Sequence, residues 1–375
     1  MSTGTTVLAL NSGSSSLKFG VYRIDGARID TLLSGEAQGL GDAGASFSAT
    51  GIADEPLRDA SIDGVMQRLD QALEQAQLPA LDAVGHRLVH GGPQHQQPCR
   101  IDDQVREQLQ RASVFAPLHT PAALTVIDQA RAHFSALPHV ACFDTGFHAD
   151  LPPVAHTLAL PRELQAQGIR RYGFHGLSCA SIVRQLGDDT PARLVIAHLG
   201  NGASVTAVRH GQSVDTSMGL TPSGGLVMGT RSGDLDPGVL IYLLREKKLD
   251  ADGLEQLIDH QSGVLGISGL ASDMRTLHQA AATHTDAQLA IDLFCQTARK
   301  QIAAMVAVLE GIDLLVFTGG IGEHDGQVRE RIVAGLQWLG LSGKVRTLPS
   351  LEDEQIALAT VACLAHSSGH RLPLA

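Results

Sequence analysis

Val7-Leu-Ala-Leu10, then Asn11-Ser-Gly-Ser-Ser-Ser16, then Leu17-Lys-Phe-Gly-Val-Tyr22 is the stretch that decides how this chain folds. Four apolar residues in a row read as a strand buried on both faces. They stop at a polar turn of small residues. Leu17, Phe19 and Val21 then alternate with Lys18, Gly20 and Tyr22, the period of a second strand. Small residues let a backbone approach a phosphate closely, and amides and Ser hydroxyls donate to its oxygens. Lys18 adds a positive charge, and Asn11 offers an oxygen suited to magnesium. Asn, Gly and Ser also build ordinary hairpin turns, so both readings stand on this stretch alone.

The plan returns in the second half. Residues 194–198 form an apolar run, Gly200-Asn-Gly202 stops it, and residues 205–208 lead back. Two strand-turn-strand units, one per half, favour two related domains. Between them the spacing predicts helices over 62–76 and 103–114, another after Pro121, and strands over 29–33, 81–84 and 140–143. The strand at 81–84 leads into Gly85-His-Arg-Leu-Val-His-Gly-Gly92, read as a loop. A helix over 289–309 carries Leu289, Leu293, Ala298, Ile302, Met305, Val306 and Leu309 on one face, with Gly311 closing it. A strand over 314–317 and a terminal helix over 353–365 complete an alternating α/β pattern.

Composition narrows the function. The chain has 375 residues, 43% of them apolar and 18% charged, enough for two packed domains. Its net charge of -11 and lack of a long Lys/Arg cluster argue against nucleic acid as a partner. No apolar run approaches the roughly 18 residues that span a bilayer, and no signal peptide is visible. Five scattered cysteines without a C-x-x-C suggest a reduced chain with neither a disulfide framework nor a zinc site. A cytoplasmic protein is expected.

Several further loops invite chemistry. Gly85-His-Arg87 and Gly229-Thr-Arg-Ser-Gly-Asp234 each place an Arg among small residues, where its planar fork suits carboxylate or phosphate. Asp144 stands at a strand end, and His175 stands between glycines in Tyr172-Gly-Phe-His-Gly176. Either would orient an acceptor or stabilise developing charge. Thr318-Gly-Gly-Ile-Gly-Glu323 invites comparison with the dinucleotide fingerprint, but the third glycine, Gly326, comes one place late. Gly343-Lys344 is followed by Val345, so a Walker A loop is absent too.

Taken in order, these segments resemble the acetate kinase (acetokinase) family. The resemblance rests on Asn11-Ser-Gly-Ser-Ser-Ser-Leu-Lys18, Gly85-His-Arg-Leu-Val-His-Gly-Gly92, Ala116-Pro-Leu-His119, Phe143-Asp-Thr145 and Arg171-Tyr-Gly-Phe-His-Gly176. It continues through Ala197-His-Leu-Gly-Asn-Gly202, Asp215-Thr-Ser-Met-Gly219, Met228-Gly-Thr-Arg-Ser-Gly-Asp234 and Phe317-Thr-Gly-Gly-Ile-Gly-Glu323. It implies a two-domain α/β actin-like, sugar-kinase and Hsp70-like fold, a duplicated ribonuclease H-like unit around a central cleft. The domains expected are 1–150 and 151–355, with the helix at about 356–375 packing back on the first.

The resemblance also implies the chemistry: reversible, magnesium-dependent transfer of the ATP γ-phosphoryl group to acetate, giving acetyl phosphate and ADP, in a homodimer. Manganese is an alternative metal. By position, Asn11 and Glu354 would hold the metal and Lys18 would contact the ATP phosphates. The nucleotide site would include His198, Leu199, Gly200, Asn201 and Gly202, with Asp273, Met274, Arg275, Gly320, Ile321, Gly322, Glu323 and His324. Arg87 would bind the acceptor carboxylate, Asp144 would be the acidic residue beside it, and His175 and Arg231 would stabilise the transition state. Val89, Leu118 and Pro222 would hold the methyl group. Met274 stands where the family usually has Phe, His324 where it has Asn, and Gln355 where a second Glu is common. A carboxylate acceptor is ionised at neutral pH, so direct in-line transfer needs little base catalysis. Two other readings stand beside this one: a propionate or butyrate kinase on the same scaffold, and a nucleotide-gated binding module without catalysis.

Overall fold

The computed structural model describes residues 4–13, 15–42, 44–117 and 119–367. These divide by contact into two compact units. One runs to Gly146 and takes in the segment from Leu351; the other is Phe147–Ser350.

The first unit is built on a mixed sheet in the order β5 (Ile52–Pro56), β4 (Ser46–Ala49), β3 (Arg28–Gln38), β2 (Ser16–Asp25), β1 (Thr5–Ser12), β6 (Ala83–Leu88), β8 (His139–Phe143) and β7 (Cys99–Arg100). β1 pairs antiparallel with β2 and parallel with β6. Its central place buries both faces, which is why its sequence is an unbroken apolar run. On one face Leu10, Phe19 and Val84 pack with Met66 and Leu69 of helix Ile62–Gln75 and Val126 of helix Thr120–His133. The other face takes the C-terminal helix Glu352–Ser367, which lies against β1, β2, β6 and β8. Gly85 lets it approach, since a Cβ there would stand 2.2 Å from Thr360 Oγ1.

The second unit has a five-stranded sheet in the order β11 (Gln212–Thr216), β10 (Ala203–Arg209), β9 (Arg193–Leu199), β12 (Leu314–Thr318) and β13 (Val345–Thr347). β11, β10 and β9 are antiparallel neighbours, and β12 and β13 continue in parallel. β3, β2, β1, β6 and β8 follow the same sequence of pairings. The repeat read from two short motifs is therefore a repeat of topology, and Asn11 and Gly200 stand at equivalent hairpins.

Two expectations need correction. Gly85-His-Arg87 is not a loop but part of β6. The long helix spans Thr285–Leu309, because His284 caps it by accepting the Ala287 amide at 3.1 Å. Leu289 is consequently exposed, and the buried face runs through Ala287, Ile291, Phe294, Ala298 and Ile302. Glu310, rather than Gly311, adopts the left-handed closing conformation. Among the described residues, no helix is long and apolar enough to cross a membrane.

Buried histidines make the fold acid-sensitive. His148 hydrogen-bonds Ser213 Oγ at 2.8 Å and the Phe174 carbonyl at 3.0 Å. Burial lowers its pKa to about 4, whereas an unfolded histidine titrates near 6.5. The unfolded chain thus takes the proton first as pH falls. Stability present above about pH 6.5 is lost as pH drops through about 4, by about 3 kcal/mol in all. Denaturant unfolding at about pH 7 and about pH 4.5 should differ less for His148→Gln than for the wild type. An equal pH dependence would refute this.

Candidate active site

In the first unit, Asn11, Arg87 and Asp144 come from the ends of β1, β6 and β8, which are mutually parallel neighbours. Ends of parallel strands are where such sheets place ligands. Arg87 Nε lies 3.1 Å from each Asp144 oxygen, and its Nη2 lies 2.6 Å from Oδ2. Its Nη1 reaches Asn11 Oδ1 at 3.4 Å and the Ser12 carbonyl at 3.3 Å. Asn11 Nδ2 donates to Asp353 Oδ1 at 2.8 Å and to Glu352 Oε2 at 3.4 Å. Lys18 is the register partner of Asn11 across the β1–β2 ladder.

Burial disfavours both charges of the Arg87–Asp144 pair. Arg87 is nonetheless held protonated by Asp144 and Glu352. Burial pushes the Asp144 carboxyl up, Arg87 opposes this, and Glu352 adds to it. The pair is ionised, because charge-assisted hydrogen bonds engage both carboxylate oxygens. Asp353 is pushed up by burial, with Asn11 opposing and Glu352 adding.

Glu352, Asp353 and Glu354 share the first turn of their helix. Sequence reasoning named Glu354 alone, yet the carboxylates on the Asn11 amide are those of Glu352 and Asp353. Glu354 acts with Asp353 on the Tyr22 phenol, which is raised mainly by burial. Crowded carboxylates and an amide are the hard oxygen donors magnesium takes. Among the described residues, no three His, Cys, Asp or Glu side chains form a ready cage.

In the second unit, His175 precedes helix Gly176–Leu186 in a left-handed conformation, φ 58°. Its ring stacks on His198 with centroids 4.1 Å apart. His175 Nδ1 meets Ser204 Oγ, and His198 Nδ1 meets Ser178 Oγ, both at 2.9 Å. A Cβ on Gly202 would stand 3.3 Å from His175 Nε2 and 3.3 Å from Arg231 Nη1. Imidazole and guanidinium thus both face the Gly202 end of the turn. Arg231 Nη1 also donates to the Pro222 carbonyl at 3.3 Å, and the Gly229 amide donates to the Asn201 carbonyl at 3.0 Å.

Thr318-Gly-Gly-Ile-Gly-Glu323 is not a simple turn; Gly319–His324 is a short helix. A Cβ on Gly200 would lie 3.9 Å from the Gly320 amide nitrogen, so the two glycine segments adjoin. Glu323 Oε1 accepts from the amides of Gly319 at 3.0 Å and Ser350 at 2.9 Å, which makes it a clamp on the backbone. Leu199, Gly322 and Met274 are buried; Arg275 and His324 are exposed. Asp273 caps helix Met274–Ala280 through the Thr276 amide at 2.8 Å, a bond that lowers its pKa. Val89 is buried and Pro222 half-buried, while Leu118 lies outside the described residues.

The chain matches the model of the acetokinase family over residues 6–357. It belongs to that family. It is 43% identical over 344 residues to a propionate kinase of Edwardsiella piscicida, covering 90% of this chain and 85% of that one. It is 41% identical over 357 residues to an acetate kinase of Methylocella silvestris, covering 89% and 87%. The crystal structure of a propionate kinase from Francisella tularensis matches at a TM-score of 0.87 and 35% identity, covering 95% of this chain and 98% of that one. The chain is a phosphotransferase with a carboxyl acceptor, and its fold is the actin-like kinase fold.

Proposed function

We propose that this acetokinase transfers the γ-phosphoryl group of ATP to acetate, reversibly and with magnesium, giving ADP and acetyl phosphate. The observation that carries the reading is that His175 Nε2 and Arg231 Nη1 converge on one point beside Gly202, each 3.3 Å from where its Cβ would stand. Two polar groups facing one small space suit the equatorial oxygens of a phosphoryl group in transfer. A carboxylate oxygen of acetate attacks the γ-phosphorus, the bond to the bridging oxygen breaks, and ADP leaves with that electron pair. Arg87 holds the acceptor carboxylate, and Asp144 fixes the guanidinium through both of its oxygens. Asn11, Glu352, Asp353 and Glu354 are the residues that would hold magnesium, which when bound neutralises phosphate charge. Lys18 serves the phosphates, and residues 273–275 and 320–324 serve the nucleotide. The enzyme acts as a cytoplasmic homodimer in this reading.

Propionate is the second acceptor to consider, because a propionate kinase is 43% identical to this chain. One methylene in an apolar pocket is worth only about 1 to 3 kcal/mol. Hydroxamate trapping of acyl phosphate with acetate, propionate and butyrate, each with ATP and GTP, tests the reading. Acyl phosphate should form fastest with acetate and ATP; none with any pair would overturn it. Arg231→Ala should reduce turnover at saturating substrates by about 10²- to 10³-fold, the usual cost of one transition-state donor. Wild-type turnover would exclude that role.

A further inference from the structure

His278 and Asp325 form a pair that the proposed chemistry does not use. His278 Nε2 lies 2.8 Å from Asp325 Oδ2, with the side chains 22% and 16% exposed. His278 sits on helix Met274–Ala280, four residues beyond Met274 and so on the same face one turn along. Asp325 directly follows helix Gly319–His324 and begins the next one. Its two oxygens divide the work: Oδ1 caps helix Gly326–Ala334 through the Val328 amide at 3.0 Å, leaving Oδ2 for His278. Arg329 fastens the same turn by donating to the carbonyls of Gly322 and Glu323, both at 2.9 Å.

We propose that His278 and Asp325 are a positioning pair that sets the spacing of residues 273–275 and 320–324 before the nucleotide binds. This rests on the reading that those two segments hold the nucleotide. His278 and Asp325 are 47 residues apart in the chain, and the pair ties the two segments directly. Without the tie, the nucleotide itself must order them, and that ordering is subtracted from its affinity.

The test is calorimetric titration of the full-length enzyme with magnesium–ADP, beside steady-state kinetics. Asp325→Ser keeps a good helix cap and removes the contact; His278→Ala removes it from the other side. Each should raise the ADP Kd and the KM for ATP about tenfold, roughly what one charge-assisted hydrogen bond yields. Turnover at saturation and thermal midpoints should hold. The double variant should be no worse than either single one, and His278→Gln, which keeps a donor, should recover part of the loss. Lower thermal midpoints with unchanged ADP affinity would mean a merely structural tie and would overturn the inference. So would a fall in turnover without a change in KM. A wild type that binds no ADP would overturn the nucleotide reading itself, and this inference with it.

Discussion

An Asp144→Asn enzyme should fold, bind ATP almost normally, and lose about a thousandfold in turnover with acetate. Volume is kept, so packing against β6 and β8 survives. What is lost is the match between a planar fork and two carboxylate oxygens. In the wild type Arg87 places Nε and Nη2 on Asp144, whose side chain is only 3% exposed. An amide offers one acceptor and turns an NH₂ group toward the guanidinium. Breaking a buried pair by removing one charge costs about 3 to 5 kcal/mol. Here that cost appears as disorder of Arg87, drawn toward Glu352 and Asn11, whose carboxylate and amide oxygen already attract it. About 4 kcal/mol diverted from acceptor orientation is about a thousandfold in rate. Arg87→Lys should behave similarly, because a point charge does not reproduce the fork. Hydroxamate-trapped turnover at varied acetate, with denaturant unfolding to confirm folding, decides the matter. Turnover within tenfold of wild type and an unchanged acetate KM would rule out the orienting role.

The fold was legible wherever one strand's burial wrote itself into one run of residues. β1 is central, so Val7-Leu-Ala-Leu10 is apolar throughout; its partner β2 reads as alternating, yet Phe19, Gly20, Val21 and Tyr22 are all buried. Arg87 was harder. Gly85 and His86 look like breakers, yet both belong in β6 for reasons far away in the chain. Gly85 admits Thr360, and His86 is buried because His139 meets its ring nitrogen at 2.9 Å. The acidic turn shows the same limit. Glu352, Asp353 and Glu354 point about 100° apart around a helix, and only packing on β1 decides that the first two meet Asn11. His284 as a helix cap and Asp325 as a shared acceptor carry no strong local signal either. Chemistry-bearing residue types could be read from the sequence; the partner of each could not.

Gly202→Ala should separate catalysis from stability more cleanly than any substitution of a charged residue. Gly202 is absent from the glycines with positive φ, so alanine meets no backbone strain there. Its methyl would stand 3.3 Å from both His175 Nε2 and Arg231 Nη1, close enough to press on side-chain ends without striking backbone. The fold should tolerate it, with a loss of stability below about 1 kcal/mol, as the donors shift by a few tenths of an ångström. Turnover should not. The methyl occupies the space that both groups face and displaces whatever small oxyanion they share, so kcat should fall about 10²-fold or more. Gly44→Ala is the control, since a Cβ there meets nothing within 4 Å, and its turnover should match wild type. If Gly202→Ala instead keeps turnover within a few-fold of the control, His175 and Arg231 do not act on a common group. The two groups would then have to serve separate parts of the reaction, because one methyl 3.3 Å from both cannot leave a shared oxyanion undisturbed.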